Sequence, residues 1–115
     1  MSLHAFLTML ALLLFAHALA DYPLQGDFLS RAKNRTHPIP GVPWYQAMAA
    51  HAFTHAGFVL IITGSLVLAA LEFCCHALID DAKCAQRIGF NADQILHVTC
   101  KLSWCMALVI FGPLP

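Results

Sequence analysis

Four apolar stretches of this chain each carry a histidine or aspartate paired with another four residues away: His17 with Asp21, His51 with His55, His76 with Asp80, and Asp93 with His97. Residues four apart share one face of an α-helix, so each pair marks a polar stripe on an otherwise greasy helix. The His and Asp residues of a 115-residue chain with seven histidines, scattered at random, would give roughly one such pair. One pair in each stretch therefore points to a polar site assembled where four helices converge.

The stretches are apolar enough to be membrane spans. Hydrophobic residues make up 60% of the chain and charged residues 10%, with a mean hydropathy of +0.72, a composition foreign to water-soluble domains. Crossing a bilayer takes about 20 apolar residues, and residues 3–20, 44–63, 66–84 and 92–111 each supply that length. The expected fold is all-α, a single polytopic membrane domain built as an antiparallel bundle of four transmembrane helices. Ala18-Leu19-Ala20 has the small-residue form of a signal-peptide cleavage site, but no basic residue precedes the apolar run, so the first stretch reads as a retained span.

Charge sets the expected orientation. Arg31, Lys33 and Arg35 fall between spans one and two, and Lys83 and Arg87 fall at the junction of spans three and four, while the remaining turn and both tails carry no Lys or Arg. The positive-inside rule then puts both basic loops in the cytoplasm of a bacterial inner membrane, with N- and C-termini outside. Topology accounts for these basic residues, and no nucleic-acid partner is expected. The expected partners are the lipid bilayer and a membrane protein.

Along the chain, Tyr22-Pro23 ends or bends the first helix just after Asp21. Residues 26–43 form the longest polar stretch and read as a loop, because Thr36 to Pro43 is too proline-rich for regular structure. Phe28 and Leu29 suit the membrane surface, and His37 reads as a solvated loop residue. Trp44 and Tyr45 suit an interfacial aromatic belt. Gly64-Ser65 makes a tight turn between spans two and three, and Asn91 or Asp93 is positioned to cap the fourth helix. Cys74, Cys75, Cys84, Cys100 and Cys105 form no CxxC motif, and their odd number argues against a disulfide framework. They read as small packing residues, with thiolate ligation of a metal as the alternative.

With this topology all four pairs lie in the cytoplasmic half of the membrane. Ionisable groups at the bilayer centre cost at least ~2.5 kcal/mol each and face the bundle interior, so eight of them imply more than a folding role. Imidazole and carboxylate together suit Zn, Mn or Fe, and bundles house metals through such inward-facing pairs. A proton or ion relay and a purely structural hydrogen-bonded network are the competing readings. Glu72 and Lys101 each extend a stripe by one more i,i+4 step toward mid-membrane and are expected to pair, since a lone charge there is costly.

His17-Ala-Leu-Ala-Asp21-Tyr-Pro-Leu-Gln25, His51-Ala-Phe-Thr-His55, His76-Ala-Leu-Ile-Asp80-Asp-Ala-Lys83 and Asp93-Gln94-Ile-Leu-His97 resemble, in the same order, the motifs of the bacterial and phage membrane family called domain of unknown function 3307. His51 to His55 and His76 to Asp80 are also similar, more weakly, to elements of bacterial membrane-bound metal-dependent hydrolases, although Ala52 stands where those commonly have an arginine. The expected function is a cytoplasm-facing metal site that serves a hydrolase. His51, His55, His76 and Asp80 are its expected core ligands, and His17 and His97 further ones. Asp93 or Asp21 is the general base that takes a proton from water. The alternative is a non-enzymatic membrane protein whose His/Asp network is structural and which binds a membrane partner.

Overall fold

A computed structural model describes residues 1–115 and contains only helices: α1 (Leu3–Asp21), α2 (Gly26–Ala32), α3 (Trp44–Thr63), α4 (Leu66–Cys84) and α5 (Phe90–Phe111). α1, α3 and α4 have the expected bounds to within a residue. α5 begins earlier than expected, with Gly89 in extended conformation at its N-cap and no side-chain cap. Asn91 and Asp93 therefore do not cap it, and Asp93 is buried. The stretch expected to be an unbroken loop contains α2, whose Gly26 takes a positive φ of 63° at its start and whose Asp27 and Arg31 form an i,i+4 ion pair at 3.4 Å. The proline-rich residues beyond it are irregular, as the sequence predicts.

Each long helix packs on two others, α1 on α3 and α5, and α4 on α3 and α5, so the four close a ring; α2 lies against α3. The most extensive packing joins α3 and α4, the pair connected by the Gly64-Ser65 turn. Gly64 ends α3 with φ 71°, and the Ser65 hydroxyl accepts from Leu68 N–H at 3.1 Å to cap α4. The Pro115 carbonyl closes the same end by accepting from the Ser65 hydroxyl at 3.0 Å and from Val67 N–H at 2.9 Å. At the opposite end α4 stops in a Schellman motif, with Arg87 N–H bonded to the Ala82 carbonyl and Gln86 N–H to the Lys83 carbonyl, both at 2.9 Å. Gln86 takes the left-handed position there, with φ 58°.

The interior is far more polar, and the exterior far more apolar, than in a protein built for water. Of the 23 buried residues 11 are polar or charged, while Phe15, Phe53, Ile61, Leu78, Ile110 and Phe111 lie on the outside. The interior is divided along its length. Leu13, Val59, Leu68, Trp104 and Cys105 form an apolar core toward the Gly64 end, and the ionisable residues fill the end where α1 and α4 finish and α3 and α5 start. Three helices, α1, α3 and α5, are long and apolar enough to cross a membrane. α4 matches α1 in length but carries Glu72, Asp80, Asp81 and Lys83.

Backbone geometry at the two left-handed positions generates a paired expectation. No atom lies within 4 Å of a Cβ added at Gly64, so Gly64→Ala meets only the left-handed backbone penalty and should lower stability by about 1 kcal/mol. Gln86→Gly, which relieves the same penalty, should raise stability by a similar amount. Thermal unfolding in detergent measures both, and equal shifts of one sign would contradict the assignment.

Candidate metal centre

The i,i+4 stripes of the four long helices meet in one cluster. The Asp21 carboxylate, at the last turn of α1, points across the bundle to the first half of α3. Its Oδ1 lies 3.0 Å from His55 Nε2, 3.3 Å from His51 Nε2 and 3.8 Å from His76 Nε2. His51 Nε2 and His76 Nε2 are 3.2 Å apart. A first-row metal held at 2.0–2.1 Å by four tetrahedral ligands sets its ligand atoms about 3.3 Å apart. The separations around Asp21, His51, His55 and His76 straddle that length, and all four donor atoms lie within 4.8 Å of one another. The three imidazoles are at most 2% exposed.

His76 shows how a ligand of this kind is aimed. Its Nδ1 lies 3.3 Å from Glu72 Oε1 one turn back. A carboxylate there makes Nδ1 the protonated nitrogen and leaves the Nε2 lone pair directed at the vertex. Glu72 is itself held by the Lys101 ammonium and by Trp104 Nε1–H, the latter at 2.7 Å. The expected Glu72–Lys101 pair is therefore present, and it continues through His76 into the cluster. His55 and His76 stack with ring centroids 3.7 Å apart, and His97 stacks on the other side of His76 at 4.2 Å.

Asp80 stands between two groups of side chains. Its Oδ2 lies 3.4 Å from His51 Nε2 and 3.6 Å from His76 Nε2, and its Oδ1 lies 3.1 Å from His97 Nε2. The ammonium of Lys33 binds the same Oδ2 and also donates to Gln25 Oε1. Of the four residues expected to form the core, the three histidines meet at the vertex with Asp21, while Asp80 Oδ2, 3.4 Å from His51 and 3.6 Å from His76, is engaged by Lys33. His97 Nε2 also lies 3.4 Å from Asp93 Oδ1. His17 lies 3.3 Å from Asp21 and 3.2 Å from the Gln94 side-chain oxygen. Gln94 in turn donates to Asp21 at 3.1 Å and to Asp93 at 3.0 Å. His37 is exposed in its loop, 3.0 Å from the Thr36 hydroxyl, and outside the cluster. All five cysteines are free and none belongs to the cluster.

Residues 9–111 match the family model described as "Protein of unknown function (DUF3307)". The chain belongs to this family. No curated protein and no solved structure matches it. The DUF3307 match contains every residue of the cluster, and the chemistry has to be read from the geometry. Sequence reasoning missed Lys33, which reads as one of three topogenic charges in a polar loop yet is 5% exposed. Gln25 and Gln94 were within reach. Gln25 continues the His17–Asp21 stripe by four residues, and its amide donates to the Asp21 carbonyl at 3.1 Å.

Charge organises the cluster. Four carboxylates, Asp21, Glu72, Asp80 and Asp93, face two buried ammonium groups, Lys33 and Lys101, which leaves two negative charges when the imidazoles are neutral. One divalent cation at the Asp21 vertex cancels that excess, as would two imidazolium ions. Further out, Arg35 donates twice to Asp81, at 2.5 and 3.0 Å, which raises the guanidinium pKa and ties the basic loop to the end of α4. A polar cleft of about 380 Å³, lined by Asp21, Gln25, Asp27, Ser30, Lys83 and Gln94 among others, opens from this end onto the cluster.

Breaking the Glu72–Lys101 contact should expose its energetics. Lys101→Met leaves an unpaired buried carboxylate and should cost about 3–5 kcal/mol, whereas the double variant with Glu72→Gln should recover a large part of that loss. Thermal unfolding of the two single variants and the double variant reads the coupling directly. Additive losses would show that the two side chains act independently.

Proposed function

We propose that this protein is a four-span inner-membrane protein that holds one divalent transition metal, Zn, Mn or Fe, at Asp21, His51, His55 and His76, and that it hydrolyses a substrate entering through the polar cleft at the cytoplasmic surface. One observation carries the metal reading: three imidazole nitrogens and one carboxylate oxygen converge, with separations of 3.0–3.8 Å that straddle the spacing of a tetrahedral ligand set. Two Nε2 atoms 3.2 Å apart need a cation or a proton between them, since two facing lone pairs repel. The residual double negative charge supports a divalent ion in that place.

The membrane reading rests on the large apolar side chains that face outward and the ionisable ones that face inward. Three helices meet the length and hydropathy of a span. α4 makes the fourth because its charges turn inward or lie in its last turn at the polar end, where Asp81 and Lys83 can reach water. Five of the six Lys and Arg residues lie at that end, in α2 and the segment after it or around the α4–α5 junction, which supports a cytoplasmic polar face and outer termini.

A divalent ion held by these four residues would supply Lewis acidity and, with water taken up as one further ligand, would lower the pKa of that water toward neutrality. Asp21, the ligand that lines the cleft, puts the ion within reach of solvent. Of the two expected bases Asp21 is drawn in as a ligand, so Asp93 remains to accept the proton from water. Its Oδ1 has no hydrogen-bond partner, and Gln94 fixes it beside Asp21. Hydrolysis then means attack by the deprotonated water on an electrophilic centre, with the proton passed on to the leaving group. The other reading, a structural network in a protein that docks a membrane partner, draws on the apolar groove of about 410 Å³ between α3 and α4. In that case imidazolium ions carry the balancing charge.

Elemental analysis of detergent-purified protein separates the two readings. The expected result is near one equivalent of transition metal, abolished by Asp21→Asn or His55→Ala and unaffected by His37→Ala. Wild-type protein that stays metal-free after exposure to Zn, Mn and Fe would overturn the metal reading in favour of the network. Independently, a reporter fused after Pro115 should be active only outside the cytoplasm, and a cytoplasmic C-terminus would overturn the topology.

A further inference from the structure

Asp80 presents its two oxygens to different partners, and the second set resembles a ligand set of its own. Asp80 Oδ1, Asp93 and His97 have donor atoms within 4.8 Å of one another, with His97 Nε2 at 3.1 Å from Asp80 and 3.4 Å from Asp93. All three residues are at most 2% exposed. Asp93 Oδ1 is buried without a hydrogen-bond partner, with His97 Nε2 3.4 Å away, and a cation between the two would satisfy it. The two clusters touch, because the His76 and His97 rings stack at 4.2 Å. Asp80 Oδ2, held by Lys33, borders the first ligand set at 3.4 Å from His51 Nε2 and 3.6 Å from His76 Nε2, so the two sets are as close as those of two-metal centres, whose ions lie about 3.5–4 Å apart.

Charge decides when such a site can fill. The first ion neutralises the excess left by four carboxylates and two buried lysines, so a second divalent ion alone would leave the cluster doubly positive. An anion must accompany it. The cleft is suited to deliver one, since Lys83 stands in its wall with a side chain 34% exposed and 4.0 Å from Asp93, although Asp27 in the same wall opposes it. Lys83 can turn toward solvent or toward an incoming anion.

Resting on the metal reading above, we infer that Asp80, Asp93 and His97 form a second divalent-cation site that fills only together with an oxyanion, and that the substrate class is phosphate monoesters, whose doubly negative group offsets the two positive charges. A phosphate group bound across both ions restores the charge balance that the second ion upsets. In that state Asp93 would serve as a ligand in place of its role as base, the second cation would lower the pKa of water, and the proton released would pass to the leaving oxygen of the ester.

Manganese(II) and inorganic phosphate are the probes. The wild-type protein should bind one equivalent of Mn without phosphate and two with it, and the second should bring the exchange-coupled EPR signal of paired Mn(II) ions. Asp93→Asn and His97→Gln, which keep side-chain volume, should bind one equivalent under both conditions, and Lys83→Met should raise by several-fold the phosphate concentration needed for the second. One equivalent and an uncoupled spectrum at saturating phosphate would overturn the second site, and two equivalents without any anion would overturn the coupling. Protein that binds no Mn, Zn or Fe at all would instead defeat the first site.

Discussion

Buried carboxylates govern this molecule. A carboxylate taken out of water must be met by positive charge or by convergent donors, because the uncompensated cost exceeds what packing in a small bundle can supply. Asp21, Glu72, Asp80 and Asp93 come from three different helices, so meeting their demands ties the bundle together. Lys101 and Trp104 reach from α5 to Glu72 on α4. Lys33 reaches in from the connection after α2 to Asp80, and His55 reaches from α3 to Asp21 on α1. Rotation of one long helix about its axis would strand at least one of these charges.

The same demand divides the bundle along its length. Toward the Gly64 end side chains such as Leu13, Val59 and Leu68 make a dry core, which fixes the spacing of α3 and α4 through a turn that allows little slack. Toward the other end the helices carry ionisable residues, and α2 with its following basic segment folds over them. Lys33 binds Asp80, Arg35 binds Asp81, and the Thr36 hydroxyl donates to the Cys84 carbonyl at 3.3 Å. A loop that topology alone would leave in solvent thus becomes one wall of the polar end, and the cleft beside α2 is its opening.

The side chains that hold the cluster in place differ from the groups at the vertex. Glu72 orients His76 from the middle of the bundle and does not line the cleft. Gln94 holds Asp21 and Asp93 in register from the open side. A site built this way keeps its donor atoms directed before any ligand arrives, which is the condition for tight and geometrically selective binding.

Periodicity alone determined a good deal here. Helix bounds followed from apolar run length, Pro23, and Gly64-Ser65, all of them local signals. The eight stripe residues were legible because a helix places i and i+4 on one face whatever its neighbours do, and the Glu72–Lys101 pair followed from extending two stripes to one depth. Tertiary structure decided what local periodicity cannot encode: which carboxylate faces which imidazole. Asp21 and Asp80 are equivalent in the sequence pattern, but the rotation of α1 against α3 brings Asp21 to the vertex, and Lys33 engages Asp80. Lys33 itself was hidden, because a lysine in a polar loop reads as solvated until the fold shows the loop lying over a cluster with more negative than positive charge. α2 and the Gly89 start of α5 were also beyond local reading, since seven residues and an uncapped helix end are stabilised mainly by what they pack against.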